Sequence, residues 1–246
     1  MCNAQHPADA PLNNGRRNFL RLTGVGAGAI MLAGALPASL VHAAPAPKVA
    51  NDLNPQQALK RLMEGNQRYV DGVTKRHDFT HEREALVGGQ NPFVAVLSCA
   101  DSRIAPEYAF DTGRGDLFAV RVAGNFVTED GLASLEYAVA VLGTPLIMVL
   151  GHDRCGAVAA GVKAVKDSAR FPGKIQGLAD ALKPSVTKVL KAPGDTLDNA
   201  IAQNVQDTVA RLKAESSLLS DALAKGTLQI VGGVYRLHSG EVELIG

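Results

Sequence analysis

The sequence predicts an α/β domain: a central, largely parallel β-sheet flanked by helices, with an N-terminal helical arm and a C-terminal β-hairpin. Three observations carry this. "PFVAVLSC" and "PLIMVLGH" are continuous apolar runs of strand length, the pattern of strands buried on both faces. Helical patterns alternate with such runs, as crossovers between parallel strands require. Near the C-terminus, "TLQIVGGVYRL" and "EVELIG" flank a Ser239–Gly240 turn and read as a hairpin.

In chain order, Asn54 and Pro55 give a cap and first turn, and Leu59, Leu62, Met63 and Tyr69 recur at helical spacing behind them. A polar stretch with His77 and His81 follows. "PFVAVLSC" is the first strand, "DLFAVRVAG" the second and "PLIMVLGH" the third, all read as the same buried kind. "LASLEYAVAVLG" between the last two is a helix. Another helix opens at Cys155 in "CGAVAAGVKAVK", and two longer helical patterns cover roughly 174–191 and 195–225. No internal repeat is visible.

The chain has 246 residues, 46% of them hydrophobic, which suffices for one well-cored domain. A formal charge of +1 with scattered Lys and Arg excludes the basic stripe that a phosphate backbone requires, so no nucleic-acid partner is expected. Arg16 and Arg17 precede an uncharged, Gly- and Ala-rich run from Leu22 to Val41, and Val41, His42 and Ala43 form a small-residue cleavage site. Residues 1–43 therefore read as a twin-arginine signal peptide. The rival reading is a membrane anchor, but the glycines and Pro37 leave the run weakly apolar. The expected protein is periplasmic or otherwise exported, with no stable membrane insertion after cleavage. Residues 44–53, with Pro45 and Pro47, read as a linker, and 54–246 as the folded domain.

Signal removal takes Cys2 and leaves two thiols, Cys99 and Cys155. Cys99 ends the first strand, and His152 and Cys155 follow the third. Carboxyl ends of strands form the ligand crevice of open α/β sheets, so both segments can deliver side chains to one place. Two thiolates and one imidazole make a Cys₂His set, associated with catalytic zinc that keeps a fourth position open. Asp101 and Arg103 lie just beyond Cys99; the guanidinium can pin the carboxylate in a bidentate pair and leave an oxygen to orient a metal-bound water. The residues alone leave three readings open: a zinc site, a Cys99–Cys155 disulfide, or two buried core thiols.

"SCADSRIAPE", "GDLFAVRVAGN" and "GHDRCGAV", in that order and spacing, resemble the β-class carbonic anhydrases. The likeness extends upstream to "ALKRLMEGNQRYV" and downstream to "GGVYRLHSGEVELI". The resemblance implies one Zn²⁺ per chain, bound by Cys99, His152 and Cys155, with Asp101 and Arg103 as the catalytic dyad. It implies reversible hydration of CO₂ to bicarbonate and a proton, with a zinc-bound hydroxide as nucleophile, and a homodimer or higher homo-oligomer. Two positions depart from the family pattern: Thr112 stands near a common substrate-binding glutamine, and Val122 where an asparagine is common. His77, His81 and His238 are candidate proton shuttles, although lone histidines more often pack or sit at the surface. Competing functions are a COS or CS₂ hydrolase on the same scaffold, and a non-catalytic exported protein stapled by zinc or a disulfide.

Overall fold

The computed structural model describes residues 52–246. The expected signal segment, 1–43, and residues 44–51 of the expected linker lie outside the described residues. The described chain runs α1 (Pro55–Val70), α2 (Phe79–Ala85), β1 (Val94–Ser98), α3 (Pro106–Ala109), β2 (Leu117–Arg121), α4 (Glu129–Ala140), β3 (Leu146–His152), α5 (Gly156–Lys166), α6 (Ile175–Val189), α7 (Thr196–Glu215), α8 (Ser217–Ala224), β4 (Gln229–Tyr235) and β5 (Val242–Ile245). One five-stranded sheet has the order β2-β1-β3-β4-β5, parallel except for the β4–β5 hairpin.

The two-residue period of the strands divides the core into two layers. Ala95, Leu97, Ile147 and Val149 face the helices α4 to α8, against Leu135, Leu182, Val186, Ile201 and Val205. Val94, Val96, Leu146, Met148 and Leu150 face the other way, against Ala58 and Leu62 of α1 and Phe110 after α3. With helices on both faces, β1 and β3 are buried throughout, which is why they read as unbroken apolar runs.

β2 differs from the reading as a third buried strand. It forms the sheet edge, and its residues are only partly buried or exposed. Phe118 and Val120 pack inward while Ala119 and Arg121 do not. The helical pattern over 195–225 is two helices. Ser216 interrupts it with extended backbone (φ −119°, ψ 114°), and its hydroxyl accepts from the Leu219 amide to cap α8. Two short helices fall in stretches to which the sequence reading assigned no element: α2, capped by Asp78, and the single turn α3 that starts at Pro106.

Two packing devices hold the sheet ends. Asn66 of α1 is buried, and its amide donates to the carbonyls of Ala109 and Gly240 while its Oδ1 accepts from the Val242 amide. All three bonds cross long stretches of chain, each contributing about 1 kcal/mol, and they tie the N-terminal arm to α3 and the closing hairpin. On the other face, α7 lies close to the backbone of β3 and β4: a Cβ at Gly151 or at Gly232 would meet a Val205 methyl at 2.7 Å. Only glycine permits that approach, and it seats α7 beside His152.

Candidate metal centre and active site

The strand order reverses beside β1. The chain places β2 on one side of β1 and β3 on the other, so β1 and β3 are parallel neighbours, with Ser98 opposite Leu150. A ligand crevice forms outside the carboxyl ends of strands at such a reversal. Cys99 leaves β1 there and His152 ends β3, so the topology itself brings them together.

Cys99, His152 and Cys155 are all buried, and one ligand atom from each lies within 4.8 Å of the others. The sulfurs stand 3.9 Å apart and both cysteines are free, so the disulfide is not formed. That separation matches an edge of roughly 3.8 Å for a tetrahedron with Zn–S bonds near 2.3 Å. His152 Nδ1 lies 2.8 Å from the Asp153 carbonyl, which can only accept, so Nδ1 carries the proton. Nε2 then presents its lone pair. It is buried and has no hydrogen-bond partner, an arrangement that costs about 1–3 kcal/mol unless something is bound there. A metal ion fits this donor set.

The backbone reverses sharply between His152 and Cys155. Arg154 has φ +53°, the left-handed region, and this lets both ligands face one point. Cys155 caps α5, so its sulfur lies at a helix N-terminus. The two thiols are linked: the hydrogen bond from Cys155 chiefly pulls the Cys99 thiol below its ordinary pKa, against the effect of burial, and the same bond pushes Cys155 up. The Gly124 amide, 3.3 Å from Cys99 Sγ, adds a donor to the easily formed thiolate.

Asp101 and Arg103 form the expected fork. Arg103 Nε donates to Asp101 Oδ1 at 2.9 Å and an NH2 group donates to Oδ2 at 2.7 Å, while the Arg103 amide also donates to Oδ1. These bonds hold the Asp101 carboxyl well below the usual carboxylate range. Oδ2 lies 3.8 Å from His152 Nε2, too far for a hydrogen bond but at the rim of the cluster.

With this geometry in view, comparison with known proteins is direct. The carbonic anhydrase family model matches residues 94–242, a span holding all five of these residues. The chain belongs to the carbonic anhydrase family. Carbonic anhydrase 2 of Mycobacterium tuberculosis is 42% identical, over 78% of this chain and 93% of that protein. The carbonic anhydrase of Mycolicibacterium smegmatis is 43% identical over the same shares. Among solved structures, the Coccomyxa β-carbonic anhydrase in complex with acetazolamide is 29% identical with a TM-score of 0.60, over 76% of this chain and 86% of that one. The enzyme is of the β class, a zinc-dependent carbonic anhydrase that hydrates CO₂ reversibly.

Other residues singled out in the sequence lie elsewhere. Thr112 donates to the Glu107 carbonyl and lines a cavity of about 210 Å³ with Arg61, Arg68, His77 and Asp116; none of Cys99, Asp101, His152 and Cys155 lines it. His77 contacts Glu82, His81 contacts Asp78, and His238 is exposed beyond β4. Val122 packs against the core, and its amide extends the β1–β2 pairing by donating to Ser98. Three residues that support the site were not read from sequence. Asn204 of α7 donates to the Gly124 carbonyl, Gly124 donates to Cys99, and Arg121 of β2 bonds the loop after Cys99. Arg121 and Gly124 fall inside the quoted "RVAGN" stretch, but nothing in local spacing shows what they touch.

Proposed function

We propose that in this carbonic anhydrase Cys99, His152 and Cys155 hold the zinc and that Asp101, held by Arg103, orients the attacking water. The observation that carries this reading is the buried, unpartnered His152 Nε2 facing two sulfurs, with a fully paired carboxylate at the rim. Zinc, when bound, supplies the Lewis acidity that lowers the pKa of a water towards neutrality. The residues of the chain do the rest. The Asp153 carbonyl fixes the imidazole tautomer. The fork holds Asp101 ionised, so Oδ2 can accept a hydrogen bond from the water and aim its lone pair at CO₂. Two thiolates offset the charge of the metal, which makes a pre-aligned acceptor more useful than beside three neutral imidazoles.

The test is zinc content per chain together with the CO₂ hydration rate, on protein lacking residues 1–43. One zinc per chain and hydration that chelation removes and zinc restores are the expected results. Stoichiometric zinc with turnover only of COS or CS₂ would reassign the substrate, and absence of zinc with no free thiols would overturn the ligand set.

We further propose that the protein is exported and works as a dimer. Support for export is the twin arginine, the uncharged run and the small-residue site before Ala44; support for the dimer is the edge strand β2, with half-buried Phe118 and Val120 beside exposed Tyr137 and Val141. Native mass spectrometry of the exported protein reads both. Two chains that each lack residues 1–43 are expected; a full-length chain inside the cell, or a monomer, would count against the respective reading.

A further inference from the structure

Arg121 has no assigned part in the chemistry, yet its guanidinium collects three backbone carbonyls from one loop. Its Nε donates to Cys99 O at 3.1 Å, and an NH2 group donates to Asp101 O at 2.8 Å and to Ile104 O at 2.7 Å. These three acceptors span the whole segment that leaves β1. Cys99 carries the first sulfur, Asp101 opens a turn closed by the Ile104 amide bonding back to the Asp101 carbonyl, and Ile104 anchors the turn in the core. The base of Arg121 is equally well placed: it ends β2 and stands in register with Ser98, one residue before Cys99.

We infer that Arg121 is a positioning residue, acting through the backbone of 99–104 to hold Asp101 and Arg103 in fixed relation to the Cys99 sulfur. The Asp101 backbone amide bonds to Cys99, but the Asp101 carboxylate makes no hydrogen bond to a metal ligand and comes no nearer to His152 Nε2 than 3.8 Å. The placement of the carboxylate therefore depends on the loop backbone, and the loop has few ladder bonds of its own. Only arginine can hold all three carbonyls at once from this place. A planar guanidinium presents donors in a rigid fork, whereas a lysine ammonium is a point charge on a flexible stem and cannot reach carbonyls on both sides of a turn at once.

The inference rests on the proposed dyad, and the experiment separates the two. Arg121→Ala, Arg121→Lys and Asp101→Asn are made singly, and Arg121→Ala is combined with Asp101→Asn, with zinc content, kcat and KM for CO₂ hydration measured on each. The expected result is a fall in kcat of about 10- to 100-fold for Arg121→Ala, the scale of a displaced catalytic group. KM should change little, zinc should stay at one per chain, and Arg121→Lys should recover part of the loss. In the Asp101→Asn background the second substitution should add less than about twofold, because residues acting as one unit are not additive. Parent-like kcat in Arg121→Ala overturns the inference, as does an undiminished loss in the Asp101→Asn background or a loss that simply follows missing zinc. An Asp101→Asn enzyme as active as the parent overturns the dyad and this inference with it. If Arg121→Ala does not fold, Arg121→Gln, which keeps a donor and most of the stem, is read by the same criteria.

Discussion

His152→Ala is expected to leave a folded chain that retains no zinc through gel filtration and hydrates CO₂ no faster than buffer. His152 is fully buried at the end of β3, and its Nε2 is the only nitrogen donor in the cluster. Removing it leaves two sulfurs 3.9 Å apart, a two-coordinate remnant far from the three protein ligands that a catalytic zinc needs. The fold should survive, because the core strands are held by parallel pairing along β1, β3 and β4 and by apolar layers on both faces. Far-UV circular dichroism close to the parent, beside a zinc content below about 0.1 per chain, would show this separation of metal from fold. Zinc near one per chain in the variant would mean that another group completes the site and that His152 is not a required ligand.

Asp101→Asn should act differently, keeping the metal and losing the rate. The substitution preserves shape, but an amide cannot reproduce the fork: one of its two positions is a donor, set against the Arg103 donors that now sit at 2.7 and 2.9 Å. The side chain would rotate or release Arg103, and the ionised acceptor facing the cluster would vanish. Loss of a preorganised charged partner of this kind costs about 100-fold or more in turnover. The measurement is kcat/KM at saturating zinc, with metal content determined on the same sample. A variant within about threefold of the parent would remove Asp101 from the mechanism.

What was legible in the sequence follows physical lines. β1 and β3 showed themselves because burial on both faces leaves no polar positions to interrupt an apolar run. The ligands showed themselves because Cys99, His152 and Cys155 sit directly after those runs, where an α/β sheet opens its crevice. β2 was legible as a strand but not as an edge, since "LFAVRV" carries the composition of a core strand while, among the described residues, no strand pairs with its outer side. The break at Ser216 was hidden because "AESSLL" keeps helical periodicity across a residue whose backbone is extended. Arg121 and Asn204 were illegible for another reason. They act on carbonyls of distant segments, and a backbone acceptor leaves no mark in the sequence.

The neighbouring placement of β1 and β3 also governs when this site can exist during the life of the chain. The two sulfurs are 56 residues apart in sequence, with β2 and α4 lying between β1 and β3. Parallel pairing of this kind is non-local and forms late, after loop-closure entropy has been overcome. A partly synthesised chain that ends before β3 therefore lacks two of the three donors, His152 and Cys155, and a chain whose sheet has not closed holds the three far apart. Metal capture is thus a report that β1 and β3 have paired, and the chemistry of the polypeptide waits on a contact between distant parts of its sequence.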